Sequence, residues 1–221
     1  MNKILFPIVL DLEMSGLDKI KCGIWQIGAI DLNNPSEFFL EESRIDDDDY
    51  VEEDALKVIG KSEEYLRNPA KQSQRELLEK FFEWMRKRPL RNVLCQNPQA
   101  DIGFLEVRAK KYGLKKTMQH RAFDLHSIAQ AKYFYIYGEF LIREGKDTTG
   151  WESNMNLTNV LKFCGIPDNR MILIDGKTVH EGKPHNALED CKLTGECFYR
   201  LILGKSIFPE YSEFEIPKEL K

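Results

Sequence analysis

Five side chains that could hold a divalent cation or move a proton occur along this chain of 221 residues. They are Asp11, Glu13, Asp101, His185 and Asp190. Side chains alternate between the two faces of a strand, so the first two carboxylates would point the same way if they lie on one strand. Mg²⁺ prefers oxygen ligands and leaves places for water and substrate phosphate. Four carboxylates therefore predict an open metal site suited to phosphodiester chemistry.

The segments around these residues indicate strands followed by alternating strands and helices. Strands are predicted at residues 4–12, 23–32, 38–40 and 92–96. Helices are predicted at residues 73–87, 101–113, 157–164 and 185–203. The apolar run at 4–12 is typical of a strand buried on both faces, and it leads directly into the acidic pair. This order of elements predicts an α/β sandwich with a mixed sheet.

The ordered set of five resembles the DnaQ-like DEDD exonucleases of the histidine subgroup. That family carries Asp-x-Glu, a second Asp, and His-x-x-x-x-Asp, and these correspond here to Asp11, Glu13, Asp101, His185 and Asp190. The resemblance covers roughly residues 4–203, including a helical excursion at 54–66. It implies a ribonuclease-H-like three-layer α/β/α fold with a mixed central sheet. We expect an exonuclease domain at residues 1–204 and a C-terminal tail at residues 205–221.

The same resemblance implies a reaction, its cofactors and its partner. The reaction is removal of nucleoside 5′-monophosphates from the free 3′ end of single-stranded DNA or RNA. Asp11, Glu13, Asp101 and Asp190 would hold two divalent ions, Mg²⁺ or Mn²⁺. His185 would accept the proton of the attacking water, a role suited to its ordinary pKa of about 6.5.

The resemblance also assigns residues to substrate binding. They are Met14, Ser15, Gly16, Leu17, Asn97 and Phe104. The first four directly follow the Asp-x-Glu pair, where the family contacts the terminal nucleotide. Gly16 would allow close backbone approach, and Leu17 would offer an apolar surface to the base.

Several alternatives stay open at this point. The stretch DLEMSGLD (11–18) is close to oligoribonucleases, so very short RNA, or trimming of RNA 3′ ends, is a second candidate function. A nucleic-acid-binding module without turnover is a third. Asp101 could be only a helix N-cap. His185 and Asp190 are five residues apart, about 140° around an ideal helix, so both reach one site only if His185 lies in the loop before the helix. Residues 167–184 form an insertion relative to the family's compact spacing.

Composition limits the class of protein. The net charge of −4 and the pI near 5.7 argue against a protein that coats duplex DNA through bulk charge, although bound cations reverse the local charge at a metal site. Five cysteines without a C-x-x-C pair argue against a disulfide framework or a zinc site, so we expect small core residues in a reducing compartment. The N-terminal apolar run is too short to span a membrane. We expect a cytoplasmic protein with no membrane partner.

Three further patterns each have a structural and a functional interpretation. The acidic stretch 41–54 predicts a solvated loop rather than a calcium site, because it lacks the EF-hand spacing. The basic stretch 107–121 is interpreted as a solvated helix end in preference to a nucleic-acid contact. The aromatic stretch 132–140 is interpreted as core in preference to a base-stacking platform. His126 is interpreted as structural or exposed, after Asp124 as a helix cap.

Overall fold

The computed structural model describes residues 4–145, 150–174, 177–180 and 182–221. The strands are β1 (Ile8–Met14), β2 (Ile24–Asp31), β3 (Phe38–Glu42), β4 (Val93–Cys95), β5 (Phe123–Asp124), β6 (Ile142–Glu144), β7 (Trp151–Ser153), β8 (Ile172–Ile174) and β9 (Lys177–His180). The α-helices are α1 (Glu53–Ile59), α2 (Glu63–Leu66), α3 (Gln74–Arg86), α4 (Pro98–Lys111), α5 (Leu125–Tyr137), α6 (Leu157–Phe163) and α7 (Ala187–Leu203). Two 3₁₀ turns follow at Pro209–Tyr211 and Lys218–Leu220.

The central sheet has five strands in the order β3-β2-β1-β4-β5. β1 pairs antiparallel with β2, and β2 pairs antiparallel with β3. β1 and β4 are parallel, as are β4 and β5. The predicted mixed sheet is therefore confirmed. The carboxyl ends of β1, β4 and β5 share one edge, and β1, which carries the acidic pair, lies at the centre of the sheet.

Both faces of this sheet are covered by helices. Ile8, Leu10 and Leu12 of β1 pack into an apolar cluster formed with α3 and α4. Val9, which points the other way, belongs to a second cluster formed with α5, α6 and α7. A strand whose two faces both contribute to an apolar core must be apolar at every position, which explains the unbroken apolar run before Asp11. The predicted three-layer α/β/α fold is confirmed.

Two helix starts illustrate what local sequence can and cannot specify. Ser73 and Glu76 form the predicted capping box at the start of α3. The helix predicted at 101–113 instead begins at Pro98 and ends at Lys111. Proline favours the first helical position because its missing N–H has no helical partner there. Asp101 therefore lies inside the first turn of α4, and the N-cap interpretation of Asp101 is wrong.

Other boundaries also differ from the sequence expectation. The first strand begins at Ile8 rather than at residue 4, because Pro7 cannot donate a hydrogen bond to a strand ladder. The excursion at 54–66 is two short helices, since Gly60 adopts a left-handed conformation (φ 63°) that ends α1. α5 was not predicted as a helix, although Asp124 does cap it by accepting from the His126 N–H.

The segment after α7 packs back onto the second apolar cluster. The backbone N–H groups of Ile207 and Phe208 donate to Glu196 of α7, at 2.9 and 3.1 Å. Arg200 donates to the Tyr211 carbonyl at 2.7 Å, and Leu220 is buried. The boundary between a domain at 1–204 and a tail at 205–221 stays a prediction.

The structure also tests the expectations for the cysteines and for membrane-spanning helices. All five cysteines are free and buried, as expected for small core residues. Across the described residues, no helix is both long enough and apolar enough to cross a membrane. A cytoplasmic location stays a prediction.

Candidate active site

The acidic pair of β1 lies on the face of the sheet that α7 covers. Asp11 is paired across the sheet with Gly28, and Glu13 with Gln26. Both carboxylates point to the same side because they are two residues apart on one strand. Glu13 is only 7% exposed, and Asp11 keeps some contact with solvent.

Gly28 is what allows α7 to approach this face. A Cβ atom at Gly28 would lie 2.4 Å from the Ala187 carbonyl carbon, so any larger residue would push the start of the helix away. The Ala187 N–H donates to the Gln26 side chain at 2.9 Å, and the Cys191 thiol donates to the Gly28 carbonyl at 3.2 Å. These contacts hold the first turn of α7, and with it Asp190, against the acidic pair.

Asp101 reaches the same edge from the opposite helical layer. It lies in the first turn of α4, directly after β4, and is 8% exposed. The Leu12 N–H of β1 and the Cys95 thiol lie beside its carboxylate. The strand–helix junction therefore brings the third acid next to the strand that carries the first two.

His185 lies in the loop before α7, which begins at Ala187. The backbone N–H of His185 donates to the Val58 carbonyl of α1 at 3.1 Å. Its Nδ1 is 3.2 Å from Asp190 Oδ2, and its Nε2 is 2.9 Å from the Met171 carbonyl oxygen. The loop position lets His185 and Asp190 meet although they are five residues apart.

Three of the four carboxylates, those of Asp11, Glu13 and Asp101, have raised pKa values. Burial, followed by the charges of Asp190, Asp101 and Glu13, holds the pKa of Asp11 well above its usual range. Burial and the charge of Asp190 raise the pKa of Glu13 to about 8. Burial raises the pKa of Asp101 to about 7. Such values mean that the cluster lacks compensating positive charge for its ionised form.

The pKa of His185 moves in the direction opposite to that expected from burial alone. Burial lowers it, but the hydrogen bond and charge of Asp190, together with the Met171 carbonyl, outweigh burial and raise the pKa above its usual value. Both ring nitrogens have an acceptor within hydrogen-bonding distance. The surroundings therefore stabilise the protonated ring.

The donor set fits a divalent cation. One ligand atom each from Glu13, His185 and Asp190 lies within 4.8 Å of the others. Glu13 Oε1 is buried and has no hydrogen-bond partner among the described residues. A buried carboxylate oxygen without a donor costs free energy unless a cation compensates it. Carboxylates are the ligands that hard divalent ions prefer.

Arg170 also belongs to this site, and sequence reasoning missed it. Its Nη1 donates to Asp190 Oδ1 at 3.3 Å, on the oxygen opposite the one near His185. Asp168 anchors the guanidinium through two bonds, at 3.0 and 2.9 Å. Arg170 lies in the segment that the sequence marked only as an insertion. The local sequence around it shows only Asp168 two positions before Arg170, a spacing too common to indicate a site.

A cavity of about 380 Å³ opens beside Glu13 and His185. Of the predicted substrate residues, Met14, Gly16 and Leu17 line it. The opposite wall comes from α1 and the residue before it: Glu52, Asp54, Ala55, Val58 and Ile59. Leu17 is 85% exposed, so its apolar side chain is free to contact a ligand.

Glu52 positions the loop after the acidic pair, and no sequence pattern indicated this role. Its Oε1 accepts from the Leu17 N–H at 3.1 Å. A Cβ atom at Gly16 would lie 2.5 Å from the Glu52 side chain and 2.7 Å from Cys22 Sγ. Gly16 therefore permits close packing of the loop on Glu52, which complements its expected role towards substrate.

The remaining predicted substrate residues lie elsewhere. Ser15 is buried, and its hydroxyl donates to the Tyr50 carbonyl at 2.6 Å and accepts from the Gly23 N–H at 2.9 Å. Phe104 is buried in the apolar cluster under α4. Asn97 is exposed and lines a second cavity at the carboxyl end of β4. Only three of the six predicted substrate residues therefore share the cavity next to Glu13.

The acidic and basic stretches prove to be partners of each other, which corrects both expectations. Asp49 is buried and accepts from Arg108 and Gln74, each at 2.6 Å. Lys111 lies 2.8 Å from Asp46 and 2.9 Å from Asp48. The acidic loop is therefore not simply solvated, and Arg108 and Lys111 of the basic stretch are paired with it. Lys110, Lys115 and Arg121 are exposed, as the solvated interpretation expects. The loop lies against α4 because an unpaired Asp49 could not be buried there.

The aromatic stretch is less buried than expected. Phe134, Tyr135, Tyr137 and Phe140 are 46%, 85%, 51% and 55% exposed. Phe134 and Phe140 stack on each other, with ring centroids 4.8 Å apart. The core interpretation of 132–140 is thus wrong for these four residues. The inward face of α5 carries the buried Leu125, Ala129 and Gln130, and Tyr133 and Ile136 of the stretch pack against the second apolar cluster.

Comparison with known proteins identifies relatives of this chain. The family model for RNase_T exonucleases matches residues 8–139. Among curated proteins, DNA polymerase III PolC-type from Caldanaerobacter subterraneus subsp. tengcongensis is 23% identical over 195 residues. The match covers 88% of this chain but only 11% of the polymerase, so the chain spans about a tenth of that relative's length.

Solved structures of similar fold include three nucleases. Cell-death related nuclease 4 superposes with a TM-score of 0.63 at 14% identity, covering 90% of this chain and 64% of that one. The nuclease domain of 3′hExo, a DEDDh family member bound to rAMP, gives 0.61 at 14% identity, covering 96% and 95%. Exonuclease I from E. coli, in complex with a dT13 oligonucleotide, gives 0.62 at 18% identity, covering 87% and 40%. At these identities the structures establish the shared fold.

Proposed function

The chain belongs to the RNase_T exonuclease family, and from that premise we propose that it removes nucleotides one at a time from single-stranded 3′ ends. It hydrolyses the phosphodiester bond and releases nucleoside 5′-monophosphates. The observation that carries this proposal is a cluster of four carboxylates, of which Asp11, Glu13 and Asp101 have raised pKa values and Glu13 keeps an unpaired oxygen. The cluster lies beside His185 and a cavity of about 380 Å³.

The family implies dependence on divalent metal, and we propose two ions, Mg²⁺ or Mn²⁺, as the cofactors. Asp11, Glu13, Asp101 and Asp190 would hold them. Bound ions supply an activated water and compensate the negative charge of the reacting phosphate. The carboxylates are held apart on β1, α4 and α7, so the protein presents them without rearranging its backbone. This preorganisation supports a catalytic rather than a scaffolding role.

His185 is the proposed proton acceptor. A raised pKa makes its ring a stronger base, and Asp190 stabilises the imidazolium that forms. The Met171 carbonyl orients the other ring nitrogen. His185 also borders the cavity proposed for the terminal nucleotide, so a water that attacks the phosphate at this cavity lies within reach of its ring.

The cavity beside Glu13 supports recognition of a strand end. Met14, Leu17 and Val58 offer apolar surface to a base, while Glu52 and Asp54 add carboxylates at the rim. Acidic rim groups accept hydrogen bonds from a free 3′ hydroxyl and repel an additional phosphate. We therefore propose that a free 3′ hydroxyl is required.

The test is digestion of matched 3′- and 5′-labelled single strands of DNA and RNA with Mg²⁺ or Mn²⁺. Stepwise shortening from the 3′ end is expected, with 5′-monophosphates as products and with a 3′ phosphate blocking the reaction. Glu13→Gln serves as the matched control, because it keeps the shape of the site and removes one charge. Cutting of circular single strands would contradict an end-dependent reaction.

Two other candidates are separated by the same assay. An oligoribonuclease-like enzyme or RNA trimmer would degrade RNA and would favour strands of two to five nucleotides. A binding module would retain strands with no product in either metal. Similar proteins bind both kinds of nucleic acid, DNA and RNA. Exonuclease I is in complex with a dT13 oligonucleotide, and a 3′-exonuclease recognises a histone mRNA stem-loop. The sugar preference is therefore measured with matched sequences.

A further inference from the structure

A second cavity, of about 370 Å³, lies on the catalytic edge of the sheet but outside the site described above. The pairing register of the strands shows which residues of the sheet lie level with this cavity. Val9 pairs with Leu94, and Leu94 pairs with Phe123. Asp11 and Gln96 each lie two residues further on, so they are level with each other and with the start of α5. Neighbouring strands are about 4.8 Å apart, so the end of β5, two strands away from β1, lies about 10 Å from Asp11.

Six of the eight described residues that line this cavity have polar side chains, and the other two are Met155 and Leu157. Its polar lining residues are Gln96, Asn97, Asp124, His126, Ser153 and Asn156. Among the described residues that line it, none is lysine or arginine. Phosphate binding normally uses such cations, whereas base edges and sugars are bound by amides, hydroxyls and imidazoles. The lining therefore suits a nucleoside rather than a phosphate.

Gln96 provides an unused acceptor at this place. Its Nε2 donates to the Met155 carbonyl at 2.9 Å, which fixes the orientation of the amide. Its Oε1 is buried and has no hydrogen-bond partner within the described parts of the chain. A buried acceptor of this kind costs free energy unless a donor reaches it. A base amino group or a sugar hydroxyl in the cavity becomes that donor if the Gln96 side chain, which lines the cavity, turns its oxygen towards the opening.

The hairpin formed by β6 and β7 extends the cavity outwards. Ser153 Oγ lies 2.7 Å from His126 Nε2 and accepts from Gln130 Nε2 at 2.5 Å, so this face of β7 turns towards α5 and the cavity. Trp151 precedes Ser153 by two residues on the same strand and therefore shares that face. Its indole is 69% exposed. The family match ends at residue 139, before this hairpin begins.

We propose that the cavity and Trp151 together form a subsite for the nucleotides that lie 5′ to the scissile phosphate. The cavity would take one nucleoside through Gln96, Asn97 and His126, and the exposed indole would stack on a base. Stacking on an aromatic side chain tolerates any base sequence. The subsite rests on the proposed exonuclease function, and it makes the affinity for a strand depend on its length.

The decisive experiment measures kcat and KM for single strands of two to eight nucleotides with Trp151→Ala. One lost stacking contact raises KM by about 5- to 150-fold for strands that reach the indole. We expect a much smaller change for the dinucleotide and little change in kcat. Trp151→Phe should restore most of the affinity because it keeps an aromatic face. Tyr135→Ala is the matched control. It removes an 85% exposed aromatic side chain from α5, the helix that β7 contacts through Ser153 and Gln130, and it should leave every KM unchanged.

Binding without turnover gives a second readout. Indole fluorescence of an Asp11→Asn variant should be quenched by a six-nucleotide strand but not by a nucleoside 5′-monophosphate, and the quenching should be lost with Trp151→Phe. Equal KM values for Trp151→Ala and the parent at every length, with turnover intact, would overturn the subsite alone. Absence of cleavage by the parent with all strands and both metals would instead overturn the proposed function, and the subsite with it.

Discussion

Two acidic clusters lie in this fold, and they differ in how their charge is balanced. The first comprises Asp11, Glu13, Asp101 and Asp190 at the catalytic edge of the sheet. The second comprises Asp46, Asp48 and Asp49 beside α4. We call them the catalytic cluster and the loop cluster. Each contains a buried carboxylate. Three potential ligand atoms lie close together at each place, from Glu13 and Asp190 with the neighbouring His185 in the first and from the three aspartates in the second.

In the loop cluster the chain supplies its own cations. Arg108 and Asp49 are both almost fully buried and are 2.6 Å apart, and Lys111 contacts Asp46 and Asp48. In the catalytic cluster Arg170 and His185 both contact Asp190, while Glu13 keeps an unpaired oxygen and a pKa of about 8. Proximity of carboxylates alone therefore does not identify a metal site. Incomplete neutralisation by the protein does.

The largest expected effect is the loss of turnover when a charge is removed from the catalytic cluster. Asp11→Asn should reduce metal-dependent cleavage by on the order of 10³- to 10⁶-fold, the range found when one member of a concerted set is removed. Its free energy of unfolding without metal should stay equal or rise, because repulsion between the carboxylates falls. Asp48→Asn, in the loop cluster, is the matched control and should cleave normally. Full Mg²⁺-dependent activity of Asp11→Asn would contradict the site.

The second prediction concerns the titratable partner of the catalytic cluster. His185→Ala should lower kcat by about 10²- to 10⁴-fold, the range for a lost general base. Metal binding should persist because the carboxylates remain. Isothermal titration calorimetry with Mn²⁺ checks this. Loss of binding in that experiment would make His185 a ligand rather than a base.

The third prediction is that changes in the loop cluster affect stability and leave turnover unchanged. Arg108→Met should lower the free energy of unfolding by about 3–5 kcal/mol, because it leaves Asp49 buried without its cation. Adding Asp49→Asn to it should recover part of the loss. Turnover per folded molecule should stay at the parental level for both. Denaturant unfolding, with activity assayed on the folded fraction, separates these outcomes, and a selective loss of turnover would mean that the two clusters are coupled.

The fourth prediction concerns Arg170, the permanent cation of the catalytic cluster. The guanidinium occupies one Asp190 oxygen and repels an incoming metal ion. Arg170→Met, combined with Asp168→Asn so that no buried charge is stranded, should tighten Mn²⁺ binding by about tenfold, or about 1.4 kcal/mol. Asp168→Asn alone is the control for the change at that position. Weaker Mn²⁺ binding in the double variant would show that Arg170 orients Asp190 for the metal instead.

The last prediction is a pH dependence of stability in the absence of metal. Glu13 has a folded-state pKa of about 8 against an ordinary value of 4.5, so the folded protein binds more protons than the unfolded chain between these values. Stability should therefore fall as pH rises from about 5 to about 8, and the raised pKa of His185 acts in the same direction. The lowered pKa of Asp48, caused first by Lys111, acts only in acid, where stability falls as pH decreases.

Thermal melts with a chelator, repeated with Mn²⁺, measure this effect. We expect the Tm of the metal-free protein to decline over that interval and the metal-bound protein to show a flatter profile, because bound ions stabilise the ionised carboxylates. Asp11→Asn should also flatten the metal-free profile. A metal-free Tm that rises between pH 5 and pH 8 would contradict the raised pKa values.

Much of the fold follows from local patterns. The apolar run before Asp11, the capping box at Ser73 and the alternation of strands and helices each depend on neighbours in sequence. Periodicity and capping are short-range effects, so they can be interpreted without coordinates. The two failures had different causes. The start of α4 at Pro98 has a local cause that the prediction overlooked, because proline favours the first helical position. The aromatic outer face of α5 depends on longer-range packing, since nothing in its own sequence distinguished it from a buried face.

The sequence by itself determined which chemical groups are available and in what order, from Asp11 and Glu13 to His185 and Asp190. Only the tertiary structure decided how their charges are balanced. Gly28 lets α7 approach the sheet, Arg170 arrives from an insertion, and Arg108 neutralises Asp49 from a helix 59 residues away in sequence. Electrostatic energy depends on distance and burial, and neither can be obtained from the order of residues along a chain.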